Sequence, residues 1–141
     1  MAEALEIRNY NPGTDYHQVK QILEEGGLFY DPIDAPERLA EKVKRDPESI
    51  MVATAGNQLI GTVRIMDDGS MPFIFRLAVR ENQRRHGVGA RLMEEAENRL
   101  RKRGFAEIHL LVNEEDEEVR DYYQKQGWEE GNLYRWMYKE R

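Results

Sequence analysis

With 141 residues, 34% of them charged, 40% hydrophobic and a formal net charge of −6, the chain has the size and mixed-sign surface of one folded domain, read as residues 1–141. The acidic balance argues against general nucleic-acid binding, and the lack of cysteine excludes disulfides, thiolate metal sites and a cysteine nucleophile. No apolar run approaches the roughly 20 residues of a membrane span, and Met1–Glu6 has neither the basic nor the apolar part of a signal peptide, so the expectation is a cytoplasmic protein with no membrane partner.

In chain order, Leu5–Tyr10 alternates as a first strand, and Asn11-Pro12-Gly13-Thr14 turns the chain, with Thr14 placed to cap the next helix. Tyr16, Val19, Ile22 and Leu23 then recur at helical spacing until Gly26-Gly27. Leu28-Phe29-Tyr30-Asp31-Pro32 is an aromatic loop. A second helix is expected near Asp34, with Glu37 completing a capping box and Leu39, Ala40 and Val43 forming its apolar face. Met51–Thr54 and Leu59–Met66 read as a hairpin about Ala55–Gln58, and Asp67–Ser70 turns into a strand at Phe73–Val79. Val88, Leu92, Met93, Ala96 and Leu100 line one side of a helix over 90–103, laced by Glu95–Arg99 and Glu97–Arg101 and closed by Gly104. Ile108–Val112 reads as a buried strand ending at Asn113. Asp116–Gln126 reads as a helix with Val119, Tyr122 and Tyr123 inward, capped by Gly127, and Leu133–Tyr138 as a last strand. The order β-α-α-β-β-β-α-β-α-β describes an α+β domain around one mixed sheet, with no linker, internal repeat or low-complexity segment.

The segment Arg84-Arg85-His86-Gly87-Val88-Gly89-Ala90 joins a strand to a helix. Such a glycine turn leaves backbone N–H groups free, and the positive end of the helix dipole lies behind them, which suits a phosphate. Between Arg76 and Arg91 there are five arginines (76, 80, 84, 85, 91) against the single acid Glu81; the alternative is a merely solvated basic face. No Gly-Lys-Ser/Thr follows, and Leu92 stands where a dinucleotide fingerprint needs a small residue, so nucleotide-hydrolase and dehydrogenase readings lose ground.

Arg84-x-x-Gly87-x-Gly89 resembles the acyl-CoA-binding pattern Gln/Arg-x-x-Gly-x-Gly/Ala of the GNAT N-acetyltransferase superfamily. The run from Leu77 to Met93 is similar throughout. Downstream, Asn113 and then Tyr122-Tyr123-Gln124-Lys125-Gln126-Gly127-Trp128 resemble that family's Tyr-x-x-x-Gly-Phe motif, with Trp128 in place of Phe. Gly61 before a strand is also typical, and the likeness runs from about Leu5 to Tyr138 in element order. His86 departs from the commoner Arg, Gly or Lys.

The resemblance implies a GNAT-like acyl-CoA N-acyltransferase fold (α/β three-layer), with a mixed, mostly antiparallel central sheet flanked by helices. It implies an acetyl-CoA-dependent N-acetyltransferase, with acetyl-CoA as cosubstrate. By that resemblance Arg84, Arg85, His86, Gly87, Val88, Gly89 and Ala90 hold the coenzyme A diphosphate, Leu77, Ala78 and Val79 pair with its pantetheine arm, and Asn113 lies near it. Tyr123 is the general acid that protonates the departing thiolate, the alternative being a packed aromatic four residues after Val119. Phe29, Tyr30 and Asp31 correspond to the loop that shapes the acceptor pocket. Asp31, Asp67, Glu114 and Glu24 are candidate bases, none singled out. The acidic run 114–118 suits a helix N-terminus or the attraction of a cationic acceptor. His17, His86 and His109 lack metal-ligand spacing, so no metal is expected.

With no cysteine to carry an acetyl group, direct attack by the amine is expected. The acceptor is a small-molecule or peptide amine, and the protein a monomer or homodimer. The rival readings are a non-catalytic acyl-CoA-binding sensor on the same fold and a subunit that needs a partner for catalysis.

Overall fold

The computed structural model describes residues 4–141; residues 1–3, part of the stretch read as carrying no signal peptide, lie outside the described residues. The chain divides into two compact bodies, one running to Leu110 and the other comprising Leu111–Arg141. None of the described helices is long and apolar enough to cross a membrane.

The first body is an α+β unit built on one antiparallel sheet of four strands in the order β1-β2-β3-β4: β1 Leu5–Asn9, β2 Ile50–Ala55, β3 Gln58–Asp67 and β4 Pro72–Val79. Side chains alternate across a pleated strand, so each strand serves two layers. Ile50 and Val52 join Leu59, Ala78 and Tyr10 in a buried cluster with Val19, Ile22 and Leu23 of α1 (Tyr16–Glu25) and Leu39 of α2 (Pro36–Arg45). The alternate positions Ala53 and Gly61 pair with each other. A Cβ on Gly61 would lie 2.8 Å from Leu92 Cδ1 and 3.2 Å from both Val88 Cγ1 and the Ala78 carbonyl oxygen, so glycine here lets α3 (Val88–Lys102) rest directly on β3. All five apolar positions of the α3 stripe are buried. Burial of a side chain as large as Leu92 contributes about 1.5–3 kcal/mol. The pairs Glu95–Arg99 and Glu97–Arg101 form on its outer surface at 3.0 and 3.3 Å.

Helix starts depart from expectation. Thr14 does not cap α1; the residue before the helix is Asp15, which is buried and takes Arg8 at 2.7 Å. Helix α2 starts at Pro36, whose missing N–H costs nothing in a first turn, and no capping box forms. Asp34 is withdrawn into the interior instead. The mixed character expected of the sheet reduces to one parallel bridge between Phe73 and His109. The strand expected at 108–112 is only that bridge: His109 N–H donates to the Pro72 carbonyl (3.1 Å), and Ile74 N–H donates to the His109 carbonyl (2.9 Å).

The second body holds α4 (Glu117–Lys125), capped by Asp116, whose side chain accepts from Val119 N–H. Gly127, at φ 96°, ends it, and Trp128 N–H returns to the Tyr123 carbonyl at 3.0 Å. No α4 residue is fully buried, contrary to the inward set expected; Tyr122 is exposed and Tyr123 half-buried. Residues 133–138 form no strand, and Leu133, Tyr134, Trp136, Met137 and Tyr138 are exposed.

Candidate active site

The site expected from the glycine turn begins at β4. One edge of this strand is paired to β3, with Thr62 opposite Ala78 and Gly61 opposite Val79. On the other edge the bridge to His109 involves only Pro72 to Ile74. Among the described residues nothing pairs with that edge beyond Ile74, so the backbone over Leu77–Val79 keeps one side free for an extended ligand.

Between Arg64↔Phe75 and Thr62↔Ala78 the register slips, so Arg76 and Leu77 together oppose Val63. This is a β-bulge, and Arg76 sits in it at φ 56°. Arg85, within the glycine turn, has φ 68°. Among the described residues these are the only non-glycine residues in the left-handed region, which disfavours side chains. Backbone strain is thus concentrated in the β4–turn segment, as is common at sites that hold ligands.

After β4, a short 3-10 helix (Glu81–Gln83) leads to the turn, and Gly87 at φ 81° starts α3. From Arg85 to Ala90, no backbone N–H makes a hydrogen bond to another described residue. Six consecutive donors are therefore free at the positive end of a fifteen-residue helix. Gly89 lies within the helix, and a Cβ there would meet only Val79 Cγ2 at an ordinary 3.7 Å. The fold itself does not require glycine at 89.

The basic residues divide into two groups. Arg76 Nε donates to Asp34 at 3.1 Å, and Arg80 pairs with Glu25 at 3.0 Å, so neither is free for a ligand. Arg84, Arg85, His86 and Arg91 remain on the surface of the turn, with Arg84 Nε donating to the Val79 carbonyl at 3.1 Å. These exposed groups and the free amides make a diphosphate the best-suited occupant. A polar concavity of about 360 Å³ between β1 and α3 does not compete: Glu6, Glu94 and Glu95 outnumber Arg91 around it, which suits an anion poorly.

The loop over Phe29, Tyr30 and Asp31 is fastened from beneath. Asp34, fully buried, accepts from Tyr30 N–H (2.9 Å) and Arg76 Nε (3.1 Å) and pairs with Arg64 (2.7 Å), while its carbonyl accepts from the Tyr16 hydroxyl (2.9 Å). Phe29 packs on the core beneath Lys20, whereas Tyr30 and Asp31 are exposed. Nothing in the sequence pointed to this role of Asp34, since Arg64 and Arg76 are distant along the chain. Among the candidate bases, Asp67 is held by Arg103 at 2.8 Å, while Asp31, Glu24 and Glu114 are exposed. Among the described residues no group of three or more His, Asp or Glu is arranged to hold a metal.

In the second body Asn113 closes a turn ahead of α4: its side-chain oxygen accepts from Glu115 N–H and its carbonyl from Asp116 N–H. The Tyr123 ring meets those of Tyr122 and Trp128 edge-on, with centroids 5.3 and 6.2 Å apart. Burial pushes the Tyr123 phenol above its ordinary value, with a smaller push from Tyr122.

The model of the acetyltransferase (GNAT) family matches residues 16–128. The chain belongs to that family. It is an acetyl-CoA-dependent N-acetyltransferase. An acetyltransferase of Pectobacterium atrosepticum is 28% identical over 125 residues, 89% of this chain and 88% of that protein. The crystal structure of Ard1 from Thermoplasma volcanium is similar with a TM-score of 0.76 at 26% identity, covering 88% of this chain and 82% of that one. The PaiA N-acetyltransferase of Thermoplasma acidophilum, solved in complex with coenzyme A, has the same fold: TM-score 0.74 at 20% identity, over 87% of this chain and 88% of its own.

Proposed function

We propose that residues 1–141 act as one catalytic domain that transfers the acetyl group of acetyl-CoA to a primary amine by direct attack. The six free amides from Arg85 to Ala90 carry this reading, because they suit a diphosphate and no chain group uses them. Arg84, Arg85 and His86 sit beside Gly87, Val88, Gly89 and Ala90 to neutralise the diphosphate. The open edge at Leu77, Ala78 and Val79 takes the pantetheine arm as an added strand would be taken, and one of its N–H groups polarises the thioester carbonyl. Asn113 supports the same arm. Phe29, Tyr30 and Asp31 border the acceptor. The protein works in the cytoplasm, needs no metal, and takes a small-molecule or peptide amine.

The amine must first lose a proton, since a lysine-like amine has pKa near ~10.4. Its nitrogen then attacks the carbonyl carbon, and the tetrahedral oxyanion is held by a β4 amide. Collapse breaks the carbon–sulfur bond, and the Tyr123 phenol gives its proton to the thiolate. The extra proton on the attacking nitrogen is lost to solvent and the phenolate regains one from solvent, so the products are a neutral amide and free thiol with Tyr123 restored. Burial supports this role, since a phenol pushed above its usual value stays protonated and ready to donate throughout the neutral range. Tyr123→Phe is expected to lower kcat by roughly 10²-fold with the Kd for acetyl-CoA little changed. A kcat within twofold of the parent removes Tyr123 from the reaction.

Isothermal calorimetry with coenzyme A, followed by thiol release from acetyl-CoA across protein N-termini, lysine peptides, polyamines, amino acids and aminoglycosides, tests the whole reading. Binding with turnover of one amine class is the expected result. Absence of coenzyme A binding overturns it, and binding without turnover of any amine points instead to an acyl-CoA sensor.

A further inference from the structure

Arg80 is noticeable in the sequence only as one charge in a basic run. In the structure it is 8% exposed, and each of its three guanidinium nitrogens makes a hydrogen bond within the protein. Nε donates to the Leu59 carbonyl at 2.6 Å, Nη1 to Glu25 at 3.0 Å, and Nη2 to the side-chain oxygens of Gln18 and Gln21 at 3.4 Å each. Its backbone is equally engaged: Arg80 N–H donates to the Ile60 carbonyl, and its own carbonyl accepts from Gln83 N–H, both at 2.9 Å. The other oxygen of Glu25 accepts from Glu81 N–H at 3.2 Å, at the start of the 3-10 helix that leads into the turn. One residue thus joins the end of β4, the β2–β3 hairpin and the last turn of α1 at the point where the chain enters the glycine turn.

We propose that Arg80, clasped by Glu25, is the positioning residue that holds the entrance of the coenzyme A turn in its binding shape. The inference rests on the coenzyme A reading of that turn. Beyond Arg84 the turn's amides are free, and Gly87 is tied to α3 by Arg91 N–H, which donates to its carbonyl at 3.1 Å, so the turn's orientation is set at its two ends: that bond with the buried Val88 side chain at one and Arg80 at the other. An amide cradle binds well only if its donors are already aimed, because ordering them on binding costs affinity. The clasp acts through geometry, since Arg80 is too buried to touch a diphosphate. Glu25 lies where α1 gives way to the loop of Phe29, Tyr30 and Asp31, so the same contact also anchors the start of the acceptor-side loop.

The experiment measures coenzyme A affinity of the full chain by calorimetry for Arg80→Gln, Arg80→Lys and Glu25→Gln, with kcat and KM for acetyl-CoA beside it. Arg80→Gln is expected to raise Kd about tenfold, the equivalent of one lost charge-assisted hydrogen bond, with kcat at saturation within about twofold. Arg80→Lys is not expected to restore affinity, because a single ammonium cannot reproduce the fork. Glu25→Gln, at a half-exposed position that does not threaten folding, separates shape from charge. Removing an acid near an anion site tightens binding if charge alone matters, whereas loss of the clasp weakens it. A Kd in Glu25→Gln equal to or below the parent's, or full rescue by Arg80→Lys, overturns the proposal while leaving the coenzyme A reading standing. A parent chain that binds no coenzyme A overturns both.

Discussion

Helices α3 and α4 are both legible from apolar spacing, yet one buries five side chains and the other none. The difference lies in what they rest on. Helix α3 lies on a strand whose glycine admits Leu92 and Val88 to within contact distance, so its stripe becomes core. Within its own body, helix α4 has an aspartate cap, acids in its first turn, a left-handed glycine at its end and the edge-on contact of Tyr123 with Trp128. Periodicity therefore specifies a helix, whereas burial needs a facing surface that periodicity does not describe.

Substitutions in the two bodies should differ accordingly. The largest effect is expected from Asp34→Ala. Removing the carboxylate leaves the fully buried Arg64 without its partner and costs about 3–5 kcal/mol in denaturant unfolding, against less than about 1 kcal/mol if the cluster were dispensable. Leu92→Ala should come next at about 2–5 kcal/mol, read in the same way, as a cavity opens between α3 and Gly61.

Lys42 offers a pH test. Its half-buried ammonium donates to the Ile65 carbonyl at 2.7 Å, and burial, with Arg64 nearby, pushes its pKa down to about 8. Because the folded value lies below the unfolded one of ~10.4, the unfolded chain binds more protons between them, so stability rises with pH from about 8 to 10.4 and the burden is fully present below 8. Unfolding midpoints across that range should lose this rise in Lys42→Met. The smallest change is expected from Tyr122→Ala on the exposed side of α4, within about 0.5 kcal/mol. A loss as large as that for Leu92→Ala would mean that α4 buries its aromatics after all.

Local signals carry the reading far in some places and fail in others for one reason. The strands β1 to β4, the three helices of the first body and every residue of the α3 stripe are legible from alternation, period and glycine spacing, which act over a few residues. The glycine turn is legible for the same reason. Ile108–Val112 and Leu133–Tyr138 have the composition of strands, but a strand also requires a neighbouring ladder, and composition does not say whether one is present. Asp34 and Arg80 escape notice because their partners are remote: Asp34 meets Arg64 and Arg76, and Arg80 meets Glu25, Gln18 and Leu59. The bulge at Arg76 is equally hidden, because arginine gives no hint of a left-handed backbone.

Position 89 leaves the chain a choice that position 61 does not. Alanine extends helices better than glycine by roughly 0.5–1 kcal/mol, and at 89 a methyl group would meet only Val79 at ordinary contact, whereas at 61 it would collide with Leu92, Val88 and a β4 carbonyl. The two glycines thus answer to different masters: one could be traded for thermal resistance, the other is the seat on which a helix sits.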